Sequence, residues 1–198
     1  MLKIGITGGI GSGKSIVSKI FEIMGIPVFD ADSAAKKVMD EDEDLKIKLQ
    51  KEFGAEVYFN GKLNRKYLAN IVFNDKERLE RLNALVHPAA IEMGLQWASQ
   101  QTRPYVIKEA ALMFEAGSAF NLDYVIGVSA PQHLRIHRAM ERDRISREEV
   151  LARMNKQIDE NIKMRLCDFV IVNDEQQLVI PQVIKLHEHF LQMAKEKL

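Results

Sequence analysis

The sequence is short of cysteine, of long apolar runs and of net charge, and each shortage removes a class of protein. Cys167 is the only cysteine in 198 residues, so a disulfide framework is impossible and a cytoplasmic setting is expected. No stretch approaches the roughly 18 uninterrupted apolar residues of a membrane span, so no membrane partner is expected. Lys3 breaks the first apolar run, which reads as a core strand and not as a signal peptide. The 28 basic and 28 acidic side chains cancel, so nothing points to nucleic acid or another general polyanion, and any positive field must be local. Internal repeats and low-complexity linkers are absent. A chain of this length can bury one sizeable core with an inserted helical piece.

Against that background one segment stands out. Residues Gly8 to Ser15 read Gly-Gly-Ile-Gly-Ser-Gly-Lys-Ser, which fits the phosphate-loop pattern G-x-x-x-x-G-K-[ST]. It follows the apolar Leu2, Ile4 and Ile6 and precedes the helical spacing of Ile16, Val17, Ile20 and Phe21. A strand thus delivers a glycine-rich turn that opens a helix, whose free N–H groups point at phosphate oxygens. Lys14 can reach the β- and γ-phosphates, and the Ser15 hydroxyl can ligate magnesium. The segment predicts binding of a nucleoside triphosphate.

Five short, nearly continuous apolar runs predict five strands: Leu2–Thr7, Val28 to Asp30, Tyr105–Lys108, Tyr124–Val128 and Phe169–Val172. Helical patterns separate them, over 14–24, 34–39, 46–53, 65–73, 76–101, 134–143 and 177–195. Gly25 sits where a helix C-cap belongs, Pro27 forbids further helix, and Pro181 falls in the first turns of the closing helix. This alternation predicts an α/β fold, three layers with a five-stranded, mainly parallel sheet. About seventy residues separate the second and third strands, far more than one crossover needs, so a helical insertion is expected there to bind the second substrate. Within it, the acidic run Asp40–Asp44 reads as a solvated turn between helices, and Asn60-Gly61 as a plain turn.

Two charged clusters lie near the predicted crevice. Asp30-Ala-Asp32 ends the second strand, on the edge of the sheet that faces ligands. A carboxylate there can take the proton of an attacking hydroxyl or hold magnesium through water. Alternatively, Asp32 caps a helix starting near Ser33. Arg135, Arg138 and Arg142 recur at spacings of three and four and so share a helix face, expected to aim back at the crevice and neutralise phosphoryl charge. Exposed pairing with neighbouring acids is the alternative, and it suits Arg147 and Arg153 best. Ser146 and Glu149 form a capping box in a polar stretch, so residues from 142 to about 163 read as a lid that excludes water.

Other features carry less. Asn155-Lys-Gln-Ile-Asp159 resembles a guanine-reading motif, but its aspartate is one residue late and the stretch reads as helix. No D-x-x-G switch ends a strand. His87-Pro88 marks a bend in a long helix, His133 and His137 read as solvated, Cys167 as packing, and Trp97 within 95–98 as core.

Taken together these residues resemble the dephospho-coenzyme A kinase family over nearly the whole chain. The resemblance rests on Ile6-Thr-Gly-Gly-Ile-Gly-Ser-Gly-Lys-Ser, Val28-Phe-Asp-Ala-Asp, Leu63-Asn-Arg with Leu68 and Val72-Phe73, Leu82-Asn-Ala-Leu-Val-His-Pro, Leu112-Met-Phe-Glu and Arg138-Ala-Met-Glu-Arg-Asp. It implies transfer of the ATP γ-phosphoryl group to the ribose 3′-hydroxyl of dephospho-CoA, the last step of coenzyme A synthesis. It also implies a P-loop NTPase fold in three parts: a nucleotide core over 1–32, 102–141 and 166–198, a helical acceptor domain over 33–101, and a lid over 142–165. Asp32 is then the general base, with Lys14 and Arg142 as the other catalytic residues. Gly8, Gly11, Ser12, Gly13, Lys14, Ser15, Ile16, Arg138 and Asn173 would bind ATP, and Ser15 and Asp30 would hold Mg2+. Asn173 lies where the resemblance brings the fifth-strand loop toward adenine. Ile16 stands where family chains often carry threonine, and Ala111 where many carry proline. A monomer or weak homo-oligomer is expected. Two rivals share the loop: another small-molecule kinase, for a nucleoside monophosphate or a sugar acid, and a nucleotide-gated regulator. An acceptor screen separates them.

Overall fold

The short run Leu2–Thr7, rich in β-branched residues, is a strand, β1, with every residue but Lys3 buried. The computed structural model describes residues 1–73 and 75–197. After the glycine-rich turn comes α1, Lys14–Ile23, which buries Val17 and Phe21. Gly25 adopts a left-handed φ of 82° behind it, and Pro27 leads into β2, Val28–Asp30. The insertion then follows as α2 (Ala31–Glu41), α3 (Glu43–Phe53), a 3-10 turn, β3 (Tyr58–Phe59), β4 (Lys62–Leu63), α4 (Arg65–Val72) and α5 (Lys76–Ser99). The chain returns through β5 (Tyr105–Glu109), β6 (Tyr124–Ser129), α6 (Gln132–Asp143), α7 (Arg147–Met154), α8 (Glu160–Arg165), β7 (Phe169–Val172) and α9 (Val179–Glu196).

The chain forms two compact units, residues 1–30 with 101–198, and residues 31–100. In the first, the five-stranded sheet runs β2-β5-β1-β6-β7 with every pair parallel. Its register sets Glu109 beside both Ile6 and Asp30, so the carboxyl ends of β1, β2 and β5 are level where the phosphate loop emerges. Ile4, Ile6, Ile107, Ile126 and Ile171 of the sheet share a core with Val17 and Phe21 of α1 and Val183 and Phe190 of α9. Phe190 meets Tyr105 and Phe169 edge-on at 5.6 and 5.3 Å between ring centroids. Among the described residues no helix is long and apolar enough to cross a membrane.

The second unit packs Val38, Leu45, Leu49, Phe53, Val57, Leu68 and Val86 together. Asp42, Asn64 and Asp75 cap its helices, accepting from the N–H groups of Leu45, Tyr67 and Arg78. Local structure departs from expectation at several points. α2 starts directly after β2, so Asp32 belongs to its first turn. The acidic run is helix on both sides of Asp42, which caps α3. Asn60 and Gly61, with φ of 49° and 75°, join β3 to β4 as a tight hairpin. Pro88 sits inside α5, Leu95 is exposed and Trp97 only half-buried, so 95–98 is not core. In the first unit, residues 155–159 are the link between α7 and α8 and not helix, and they still end no strand.

Candidate active site

The loop between β1 and α1 is shaped by two left-handed glycines. Gly11 has φ 74° and Gly13 φ 95°, and no side chain caps α1, an arrangement suited to an anion at a helix N-terminus. Space imposes glycine as firmly as φ does. A Cβ on Gly11 would lie 2.1 Å from the Arg135 carbonyl oxygen, and one on Gly13 2.2 Å from Asn173 Nδ2. Lys14 Nζ donates to the Gly8 carbonyl at 3.0 Å, folding the ammonium back over the loop. Ser15 Oγ donates to Glu109 Oε1 at 3.0 Å. Gly8 and Ser12 are buried, and Ile16 is exposed.

Side chains from distant elements hold this loop from behind. Asn173 Nδ2 donates to the Ser12 carbonyl at 2.9 Å. Arg138 fixes the same segment, with Nη1 on the Asn173 carbonyl at 3.1 Å and Nη2 on Glu175 at 2.9 Å. Arg135 Nε donates to the Ile10 carbonyl at 3.1 Å, while the Ile10 N–H donates to Gln157 Oε1 at 3.0 Å. Arg135 is buried and pairs with Glu160 at 3.1 Å. Deeper still, Lys163 is fully buried, 2.9 Å from Glu115 and 3.1 Å from the Ala111 carbonyl. The Ile158 N–H also donates to Glu115 at 3.0 Å.

The two carboxyls paired with these cations titrate in opposite directions. Burial holds Glu160 above the usual carboxylate range, outweighing the pull of Arg135 and Lys163. Burial also pushes Glu115 up, but the Lys163 ammonium and the Ile158 N–H together hold it below that range. Cys167 donates to the Lys163 carbonyl, and burial raises its thiol to about 12, which leaves no thiolate for nucleophilic chemistry.

The three arginines of α6 do not converge on one crevice. Arg135 points into the loop's support and Arg138 ties down the segment after β7, while Arg142 is exposed on its neighbour Asp143, at 2.8 and 3.1 Å. Helical spacing sets a common face, but long side chains on it reach different partners. Arg153 joins the same Asp143 carboxylate at 3.0 Å, and the Ser146–Glu149 capping box is formed. His133 and His137 are exposed. Asp30 is exposed at the end of β2, and Asp32 is exposed in the first turn of α2, where it also places a negative charge at a helix N-terminus. Sequence reasoning missed Glu109, although a lone acid closing an apolar strand level with the loop was a readable signal. It also missed Gln157, Glu160, Lys163 and Glu115, whose partners lie far along the chain.

The family model described as Dephospho-CoA kinase matches residues 2–178. A dephospho-CoA kinase of Bacteroides fragilis is 40% identical over 186 residues, 93% of this chain and 91% of its own length. A crystal structure from Thermus thermophilus superposes with a TM-score of 0.84 at 35% identity, covering 97% of both chains. The dephospho-CoA kinase structure from Campylobacter jejuni gives 0.70 at 29% identity, over 99% of this chain and 98% of that one.

Proposed function

The chain belongs to the dephospho-CoA kinase family, and from that premise we propose how its own residues move the γ-phosphoryl group of ATP to the ribose 3′-hydroxyl of dephospho-CoA, giving CoA and ADP. The observation that carries the reading is the uncapped α1 N-terminus at the carboxyl edge of the sheet, with Lys14 folded over the loop and Ser15 on Glu109. The loop's glycine-rich backbone and the first turn of α1 cradle the phosphates, while the Ile10 N–H stays on Gln157, and Lys14 neutralises charge on the β- and γ-groups. Asn173 and Arg138 back the nucleotide by fixing Ser12 and the segment that follows β7, which frames the adenine.

Transfer is in line and direct. The 3′-oxygen forms a bond to the γ-phosphorus as the bond to the bridging oxygen breaks, and ADP leaves with that electron pair. Asp32 accepts the hydroxyl proton as general base. Arg142 exchanges Asp143 for the transferring group when the lid, residues 142–165, closes. Residues 33–101 supply the acceptor site.

The loop's oxygens fit magnesium. Ser15 and Glu109 are hard donors, and no group of three or more His, Cys, Asp or Glu is placed to hold a metal among the described residues. That suits an ion that keeps waters and takes phosphate oxygens. Ser15 would hold it directly, with Asp30 and Glu109 through water. When bound, it would neutralise charge on the phosphates. The protein works in the cytoplasm as a monomer or weak homo-oligomer, without nucleic acid.

The test is ADP release from Mg-ATP with and without dephospho-CoA, with the product identified by mass. Acceptor-dependent ADP together with coenzyme A is expected. Tight nucleotide binding with no acceptor dependence would move the regulator reading to first place.

A further inference from the structure

We propose that Arg135, Glu160 and Gln157 are positioning residues for ATP, gripping the Gly9–Ile10 peptides of the phosphate loop from behind and making α8 the fixed end of the lid. The inference rests on the reading of that loop as the ATP site. Both backbone polar groups of Ile10 are taken by side chains: its carbonyl by Arg135 at 3.1 Å and its N–H by Gln157 at 3.0 Å. The adjoining Gly9 is pressed against the ion pair. A Cβ there would lie 2.2 Å from Arg135 Nη2 and 2.6 Å from Glu160 Oε2. Glu160 Oε1 is buried without a hydrogen-bond partner among the described residues.

A buried ion pair with an unsatisfied oxygen is a poor source of stability, because desolvation offsets most of the Coulombic gain. What it does supply is direction, since the guanidinium fork and its carboxylate fix where two loop peptides point. Gln157 and Glu160 both lie beyond α7, in the stretch expected to form the lid. The start of α8 cannot swing without releasing the loop, and its middle is held by Lys163 on Glu115 and on the Ala111 carbonyl. Closure of the 142–165 stretch therefore leaves α8 in place and moves α7 with its two connections, from Arg142 through Arg144, left-handed at φ 53°, to Lys156. Lid position and loop geometry are joined through these three side chains.

The test uses the full chain: Mg-ATP affinity by titration calorimetry, and kcat with KM for both substrates. Glu160→Gln should weaken ATP about tenfold, the scale of one charge-assisted hydrogen bond. Gln157→Ala should weaken it about threefold, the scale of a neutral one. Arg135→Lys keeps the charge and the pairing but loses the grip on Ile10, so it should follow Glu160→Gln. KM for dephospho-CoA should stay within about twofold of wild type throughout. Wild-type ATP affinity in Gln157→Ala and Glu160→Gln, with only the melting midpoint lowered, would overturn the proposal. So would an equal rise in both KM values. If Glu160→Gln does not fold, Gln157→Ala decides alone. A wild-type chain that binds ATP but ignores dephospho-CoA sinks the kinase reading and leaves this one to be read from the binding data.

Discussion

In the unit formed by residues 1–30 and 101–198, the ion pairs behind the loop bury their cations and join residues far apart in sequence: Arg135 with Glu160, and Lys163 with Glu115. In the unit 31–100 they are exposed, and most link neighbours one helical turn apart, as in Lys37–Glu41, Lys76–Glu80 and Arg81–Glu77. Even the longer links there, Arg65–Asp40 and Arg81–Glu52, lie largely in solvent. Exposed pairs contribute little and hold nothing in place, whereas buried ones cost desolvation and return directional geometry. Charge is buried behind the glycine-rich loop. The helical unit, by contrast, is built from apolar contacts and helix caps.

Asp32 is where that contrast would break, a carboxylate of the helical unit for which we propose a chemical task. Asp32→Asn should lower kcat by about 10²–10⁴ and leave ATP affinity unchanged, as steady-state kinetics with a parallel ATP titration will show. Lys163→Met removes the buried cation that pairs with Glu115 and satisfies the Ala111 carbonyl, and should cost ~1–3 kcal/mol in urea unfolding. Leu49→Ala tests the other unit, whose core should lose ~2–5 kcal/mol through a cavity while ATP affinity holds. A comparable loss of ATP affinity there would dissolve the distinction.

The acid limb of stability sharpens it further. Glu115 titrates below its ordinary value of 4.5, so its contribution is full above that value and is lost as pH falls through the folded-state value. Glu115→Gln should be less stable at neutral pH and lose less on acidification below about 4.5, measured by urea midpoints across pH. Glu160, raised by burial, acts in the opposite sense, as a cost at neutral pH that eases on protonation. The smallest effect belongs to Arg81→Ala, which should leave the unfolding midpoint where it was, since the pairs it breaks are exposed and screened.

The sheet was legible because strands covered on both faces are uninterrupted apolar runs, and Gly25 and Pro27 punctuate the first crossover. The loop was legible because glycine, lysine and serine are needed at fixed offsets. The β3–β4 hairpin showed only its Asn60-Gly61 turn, since strands of two residues carry no periodicity. Asp32 was placed just ahead of a helix and lies in its first turn, a boundary that no residue near β2 announces. The supports of the loop were hidden for a different reason. Lysine and glutamate are ordinarily solvated, and nothing local in Lys163 or Glu160 foretells burial against partners 48 and 25 residues away. Gln157 was obscured by its place in an apparent guanine motif.

Unlike α3, which Asp42 closes from within the chain, α1 starts with no cap of its own. On the reading of the loop as the ATP site, the triphosphate takes the place of that cap. Substrate binding then also completes the start of a helix. Any tetrahedral dianion in the buffer competes to finish it. Phosphate or sulfate should therefore raise the melting midpoint where chloride at equal ionic strength does not.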